Sequence, residues 1–140
     1  MSEKDTRAIR AHKASIANAM AGNKEDWLAL FADDAVVHDP VGRSPHDPEG
    51  AGFRGKARIS EFWDMMIGPG NLTIIPHKRY PCGEDVVAVA MTAANNIEGL
   101  KTFIEMIATY EVNEAGQLQS LKVYWDVDAL ADQLPPELLG

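Results

Sequence analysis

One cysteine, Cys82, is all the thiol chemistry this chain carries. An intrachain disulfide is therefore excluded, and the cysteine usage gives no sign of export to an oxidising compartment. Long apolar runs are missing as well. The longest stretch free of Asp, Glu, Lys and Arg is the 13 residues Met65–His77, interrupted by Gly68, Pro69 and Gly70. A membrane-spanning helix needs about 20 unbroken apolar residues. Positive charge is scarce: 13 Lys and Arg face 21 Asp and Glu, a formal net charge of −8. With no polybasic window, the balance argues against a nucleic-acid or anionic-membrane surface, which would need clustered cations. The opening MSEKDTRAIR is charged and lacks the apolar segment of a signal peptide. The expectation is a cytoplasmic protein.

What is present is ordinary globular material. The 140 residues are 46% apolar and 24% charged, enough for a single domain over residues 1–140 that buries roughly two-thirds of its unfolded surface. No internal repeat or low-complexity segment breaks it. Apolar positions at three- and four-residue steps predict a first helix from about Lys4 to Ala21, stopped by Gly22. Asn23 is placed to cap a short second helix containing Trp27, Leu28, Leu30 and Phe31, ended by Asp33-Asp34. A short strand, Ala35–His38, follows. The irregular stretch Asp39–Gly55 holds three prolines and four glycines. A loop that long in a compact domain is usually functional or disordered. Ile59, Phe62, Trp63 and Met66 then form the stripe of a third helix, Lys56–Ile67.

The remainder reads as four antiparallel strands: Leu72–Tyr80, Val86–Asn96, Lys101–Val112 and Gln117–Trp125. Glu98-Gly99 and Glu114-Ala115-Gly116 are the hairpin turns. The tail, residues 127–140, carries Leu130, Leu134 and Leu138 with Pro135-Pro136, and is expected to be a short docked segment or frayed. Helices segregated from antiparallel strands define an α+β fold, three N-terminal helices on a curved, mostly antiparallel sheet. Alternation places Met91 and Asn95 on one inward face, with Ile104, Met106, Ala108 and Tyr110, and with Leu121, Val123 and Trp125. Phe103, Ile107, Leu118 and Tyr124 fall on the second face. A sheet apolar on both faces wants cover on both, and a homodimer through the outer face would supply it.

Three blocks carry a resemblance: Ala21-Gly22-Asn23, Leu30-Phe31-Ala32-Asp33-Asp34-Ala35, and Val37-His38-Asp39-Pro40-Val41-Gly42. Together with Gly99–Trp125 they resemble the ketosteroid isomerase-like branch of the NTF2-like (SnoaL-like) superfamily, over about Ala11–Trp125. The resemblance implies a conical α+β domain, usually dimeric, whose apolar pocket holds a steroid-like ketone. In that family an Asp base moves a proton beside an oxyanion hole made by a Tyr and a protonated Asp. The family's base falls on Asp39. Its oxyanion Tyr falls on Ser15 and its oxyanion Asp on Ala108, so both usual donors are missing. The chain also has a longer loop after Gly42.

Losing one oxyanion donor typically costs about 100- to 1,000-fold in rate. Efficient chemistry therefore needs a replacement donor, and Ser15, Tyr110, Asn95 and the Trp125 indole N–H are the candidates. Trp63, Met66, Met91 and Met106 are read as pocket wall, although plain core explains their spacing equally well. An Asp before Pro is ordinarily a turn residue; within this block Asp39 is read as a pocket base. His12, His38, His46 and His77 lack metal-ligand spacing, so they are read as solvated or dimer-face residues and no metal is expected. No organic cofactor motif appears. Three functions follow: proton transfer by Asp39 on a hydrophobic steroid-like or polycyclic carbonyl compound, a SnoaL-like dehydratase or cyclase, or a non-catalytic small-molecule binder.

Overall fold

Thr6 starts the first helix by accepting the Ile9 N–H on its hydroxyl at 3.1 Å, satisfying one of the donors a helix start leaves open. The computed structural model describes residues 4–135 and 137. Helix α1 runs Arg7–Ala21 and ends on Gly22 in the left-handed conformation that glycine adopts without strain. Ala8, His12, Ser15 and Ala19 are buried along one face. Helix α2, Lys24–Ala29, buries Trp27. Asn23 precedes it without making a side-chain cap, and the helix stops well before Asp33-Asp34.

Strand β1 spans Phe31–His38, starting four residues earlier than the Ala35 expected from the sequence. The reason is tertiary. β1 lies parallel to β6 (Leu118–Tyr124), and the Leu118 N–H donates to Leu30 C=O at 2.8 Å. Asp33 and Asp34 ride exposed on this strand and do not end a helix. The 39–55 stretch is not wholly irregular: it returns as β2, Phe53–Arg54, antiparallel to β1. Helix α3 (Lys56–Phe62) continues into a π-helical turn, Trp63–Ile67, so the expected third helix is one segment with two hydrogen-bonding patterns.

Strands β3 (Thr73–Cys82), β4 (Val86–Ile97), β5 (Leu100–Val112) and β6 form the expected antiparallel meander. The full curved sheet has six strands in the order β2-β1-β6-β5-β4-β3 and is mixed, because the β1–β6 pair is parallel. A short helix α4, Val127–Ala131, follows β6, so the described residues hold four α-helices rather than three N-terminal ones. Gln133 beyond it clasps β5, accepting the Phe103 N–H at 2.7 Å and donating to Phe103 C=O at 2.8 Å. Pro136 and Leu138 of the tail lie outside the described residues.

The core sits between the inward face of the sheet and helices α1 to α3. Trp27, Phe31, Phe53, Phe62, Val87, Val89 and Ala108 are fully or almost fully enclosed there. Leu118, assigned to the second face by alternation, is instead in the core. A bulge between Glu111 and Val112 shifts the β5–β6 register and turns it inward. The opposite face of the sheet carries Ile75, Tyr80, Phe103, Ile107 and Tyr124, all exposed.

Candidate active site

Asp39 leaves the end of β1 at the point where the chain turns away through a cis Asp39–Pro40 bond. The Val41 N–H still donates to Val123 C=O at 2.8 Å, which pins this exit beside β6. Successive strand residues face opposite ways, so His38 and Asp39 diverge. His38 lies against Gly52 of the loop, where an added Cβ would sit 2.6 Å from its ring. Asp39 faces inward, and its Oδ1 accepts the indole N–H of Trp125 at 2.5 Å.

The electrostatics follow from that enclosure. The Asp39 residue keeps a minority of its surface exposed, but protein closely surrounds its carboxyl. Burial raises its pKa from 3.8 to about 6, partly offset by the Trp125 hydrogen bond, which favours the carboxylate. A carboxylate with that affinity for a proton accepts and returns one near neutral pH. Trp125 thus serves the base, and its single N–H is engaged there, away from the substrate-oxygen role that the sequence left open for it.

The row of strand neighbours beside Asp39 is small and apolar. Val123 pairs with Ala108, and Ala108 with Val89. Ala108 is fully buried in the core there. Tyr110, the next inward residue on β5, is 2% exposed, and its ring stands 4.6 Å from that of His12 on α1. Burial pushes the Tyr110 phenol well above its usual range. The nearby Asp39 charge pushes the same way, and Arg79 opposes both. The Asp39 charge is thus felt at Tyr110 across the interior. One turn along α1, Ser15 Oγ accepts the Trp27 indole N–H at 3.2 Å. Both residues are buried, so Ser15 is held in place with its own proton still to give.

The other sequence candidates spread outwards. Trp63 is buried in an aromatic cluster, 5.2 Å from Trp27 between ring centroids, and half-buried Met66 packs against the same core. Met91 is buried in the core and Met106 packs against it half-buried, and both also border the second groove described below. Asn95 sits at the rim: its Oδ1 accepts the Asn96 N–H at 3.0 Å, and the backbone at Gly70 is so close that a Cβ there would lie 2.3 Å from it. Asn95 is thereby tied to the turn after the π segment. One groove of about 220 Å³ runs from the end of α1 to Leu72, with Trp63 in its wall. Another, about 360 Å³, lies on the outer face between His77, Ala90, Ile107 and Tyr124. Neither is lined by Asp39.

Sequence reasoning missed His12 and Trp27 as site residues. Histidines were expected in solvent or on a dimer face, but His12 is fully buried. The available signal was its helical spacing, three before Ser15 and four after Ala8, which puts it on the buried stripe. His46 is exposed, and His77 is exposed with its Nε2 2.7 Å from Thr92 Oγ1. Among the described residues, no group of three or more His, Cys, Asp or Glu could hold a metal ion. No described helix is long and apolar enough to cross a membrane.

Comparison with known proteins agrees with this architecture. The SnoaL-like domain family matches residues 12–121. A steroid Δ-isomerase of Nocardioides simplex is 26% identical over 118 residues, covering 84% of this chain and 89% of that protein. The Δ5-3-ketosteroid isomerase of a Mycobacterium species superposes with a TM-score of 0.85 at 33% identity, covering 89% of this chain and 97% of the other. RV0760c of Mycobacterium tuberculosis superposes at 0.87 and 31% identity, covering 91% and 97%. That protein has also been crystallised with estradiol-17β-hemisuccinate.

Proposed function

Because the chain belongs to the SnoaL-like domain family, we propose that it is a ketosteroid isomerase-like enzyme in which Asp39 moves a proton on a hydrophobic, steroid-like carbonyl compound. The observation that carries this reading is the Asp39 carboxyl itself: inward-facing, held by Trp125 and raised to about 6 by burial. A turn residue accepting backbone N–H groups would be shifted downward instead. Relatives named as steroid Δ-isomerase and Δ5-3-ketosteroid isomerase support the substrate class. In this reading the Asp39 carboxylate removes a proton from the carbon next to the carbonyl. The released electron pair forms a carbon–carbon double bond, and the negative charge passes to the oxygen. Asp39 then returns the proton to a more distant carbon, and the double bond becomes conjugated.

The test is turnover of a β,γ-unsaturated 3-ketosteroid, followed through the absorbance of the conjugated enone. The Asp39→Asn variant loses at least about 100-fold in kcat, the low end of what a positioned base contributes. Wild-type kcat/KM rises with pH through about 6 and then levels, because only the ionised carboxylate accepts a proton. Equal turnover by the two proteins sinks the assignment of Asp39. Inactivity of both moves the reading to a dehydratase, a cyclase or a binding protein.

A further inference from the structure

Charge that develops on the carbonyl oxygen needs a hydrogen-bond donor, and the family's two usual donor positions hold Ser15 and Ala108 here. We infer that the Tyr110 hydroxyl has taken over that task and donates to the substrate oxygen, an inference that rests on Asp39 being the base. Three observations converge on it. Tyr110 is only 2% exposed and lies on the inward face, two residues along β5 from Ala108. No hydrogen bond joins its hydroxyl to another described residue. Buried polar groups are satisfied in the great majority of cases, and an exception of this kind asks for a ligand acceptor. The His12 ring, 4.6 Å away and tilted by 60°, braces the phenol from α1 and limits its swing.

The chemistry suits the position. Burial and the Asp39 charge both disfavour the phenolate, so Tyr110 stays a neutral O–H donor across the pH range in which Asp39 works. Ala108 beside it carries only a methyl group, with no side-chain donor to compete for a carbonyl oxygen. Ser15, fixed by the Trp27 N–H, borders the same helix face one turn from His12. When Asp39 takes the proton, the C–H electron pair moves towards the carbonyl and the oxygen gains charge. The Tyr110 O–H bond shortens its contact to that oxygen without transferring its proton, and the contact relaxes when Asp39 reprotonates the carbon.

Testosterone, which has a single ketone, is the probe, and the infrared stretch of its bound carbonyl is the readout. In the wild type this stretch lies below its position in an apolar solvent, the mark of a hydrogen bond to the oxygen. Tyr110→Phe returns it towards the apolar position, weakens testosterone about tenfold, and lowers kcat on the β,γ-unsaturated ketosteroid roughly 100- to 1,000-fold. Asp39→Asn keeps the carbonyl shift while losing turnover, so the two assignments fail separately. Replacing all tyrosines with 3-fluorotyrosine is a check that does not depend on the variant folding. The other two, Tyr80 and Tyr124, are exposed on the opposite face, so a further downward shift of the carbonyl reports Tyr110 alone. The inference is overturned if Tyr110→Phe leaves both the stretch and the affinity as in wild type, if fluorotyrosine moves nothing, or if the wild type binds no testosterone. Full turnover by Asp39→Asn, with the Tyr110 effect intact, overturns the base and spares the donor.

Discussion

A carboxyl pushed from 3.8 to about 6 is a burden on the folded state once it ionises. By proton linkage the cost is roughly 3 kcal/mol. The sign runs one way. Below about pH 4 Asp39 is protonated whether the chain is folded or not. Between there and 6 the folded protein holds a proton that the unfolded chain has released, so stability falls as pH rises. Above 6 the full cost is present. Asn cannot ionise, and its amide oxygen can still accept the Trp125 N–H. Thermal unfolding of Asp39→Asn beside wild type is therefore expected to show equal midpoints near pH 3 and a variant several degrees more stable at pH 8. A variant less stable at pH 8 would mean that the carboxylate is not held in an unfavourable site. Asp39 was legible in the sequence because its neighbours form a contiguous block. Its partner Trp125 was legible as a site residue but not as the donor to the base, since 86 residues separate the two and only the fold brings them together. The bond of Trp27 to Ser15 was hidden for the same reason, since a side chain's partner on another element is not encoded by its own spacing, whereas the burial of His12 was readable from its place on the α1 stripe.

Elements whose identity rests on local pattern were read well, and those that rest on pairing were not. The stripe of α1, the Ile59–Met66 helix and the four meander strands follow from periodicity alone. The first four residues of β1 and the two-residue β2 exist only because other strands lie beside them. The loop between β1 and β2 is likewise organised by contacts invisible in its composition. Asp47, buried although the sequence marked it as loop, accepts the N–H groups of Ala51 at 3.1 Å and Gly52 at 2.8 Å. Gly52, at φ +80, then lies directly on the His38 ring. Gly52→Ala meets both a left-handed backbone and that ring, and should destabilise the protein by about 2–3 kcal/mol. Gly42→Ala is the matched control: its φ is +94, but nothing lies within 4 Å of the added carbon, so only the backbone strain of about 1 kcal/mol applies. Urea denaturation of the two variants separates the terms. Equal losses would mean that the loop does not rest on His38. A larger loss at Gly52 shows that the strand end carrying Asp39 is held partly by the loop that follows it.

At the level of the whole molecule, one face of the sheet is covered by helices and the other is not. Phe103 is 60% exposed on that outer face, among exposed Ile75, Tyr80, Ile107 and Tyr124. Exposed apolar surface gathered on one sheet face is uncommon in a monomer. The geometry points to a second copy of this chain as the cover, related by a two-fold axis. Such a contact must be self-complementary, and this face carries both signs of charge, with Glu105 and Glu111 near Lys101 and Lys122 on β5 and β6. Light scattering at micromolar concentration is then expected to give twice the 15.3 kDa chain mass. Ile107 stands at the middle of the patch, paired across the sheet with Ala90 on β4 and Tyr124 on β6. Ile107→Glu places like charges opposite each other across the two-fold axis and should shift the protein to a single-chain mass. It leaves the concave interior untouched, since residue 107 points away from Ala108 and Tyr110. A variant that is monomeric yet still turns over substrate would show that the two faces of the sheet do separate jobs, catalysis within and assembly without. A wild type that scatters as one chain would sink the dimer and leave the reading of Asp39 and Tyr110 as it stands.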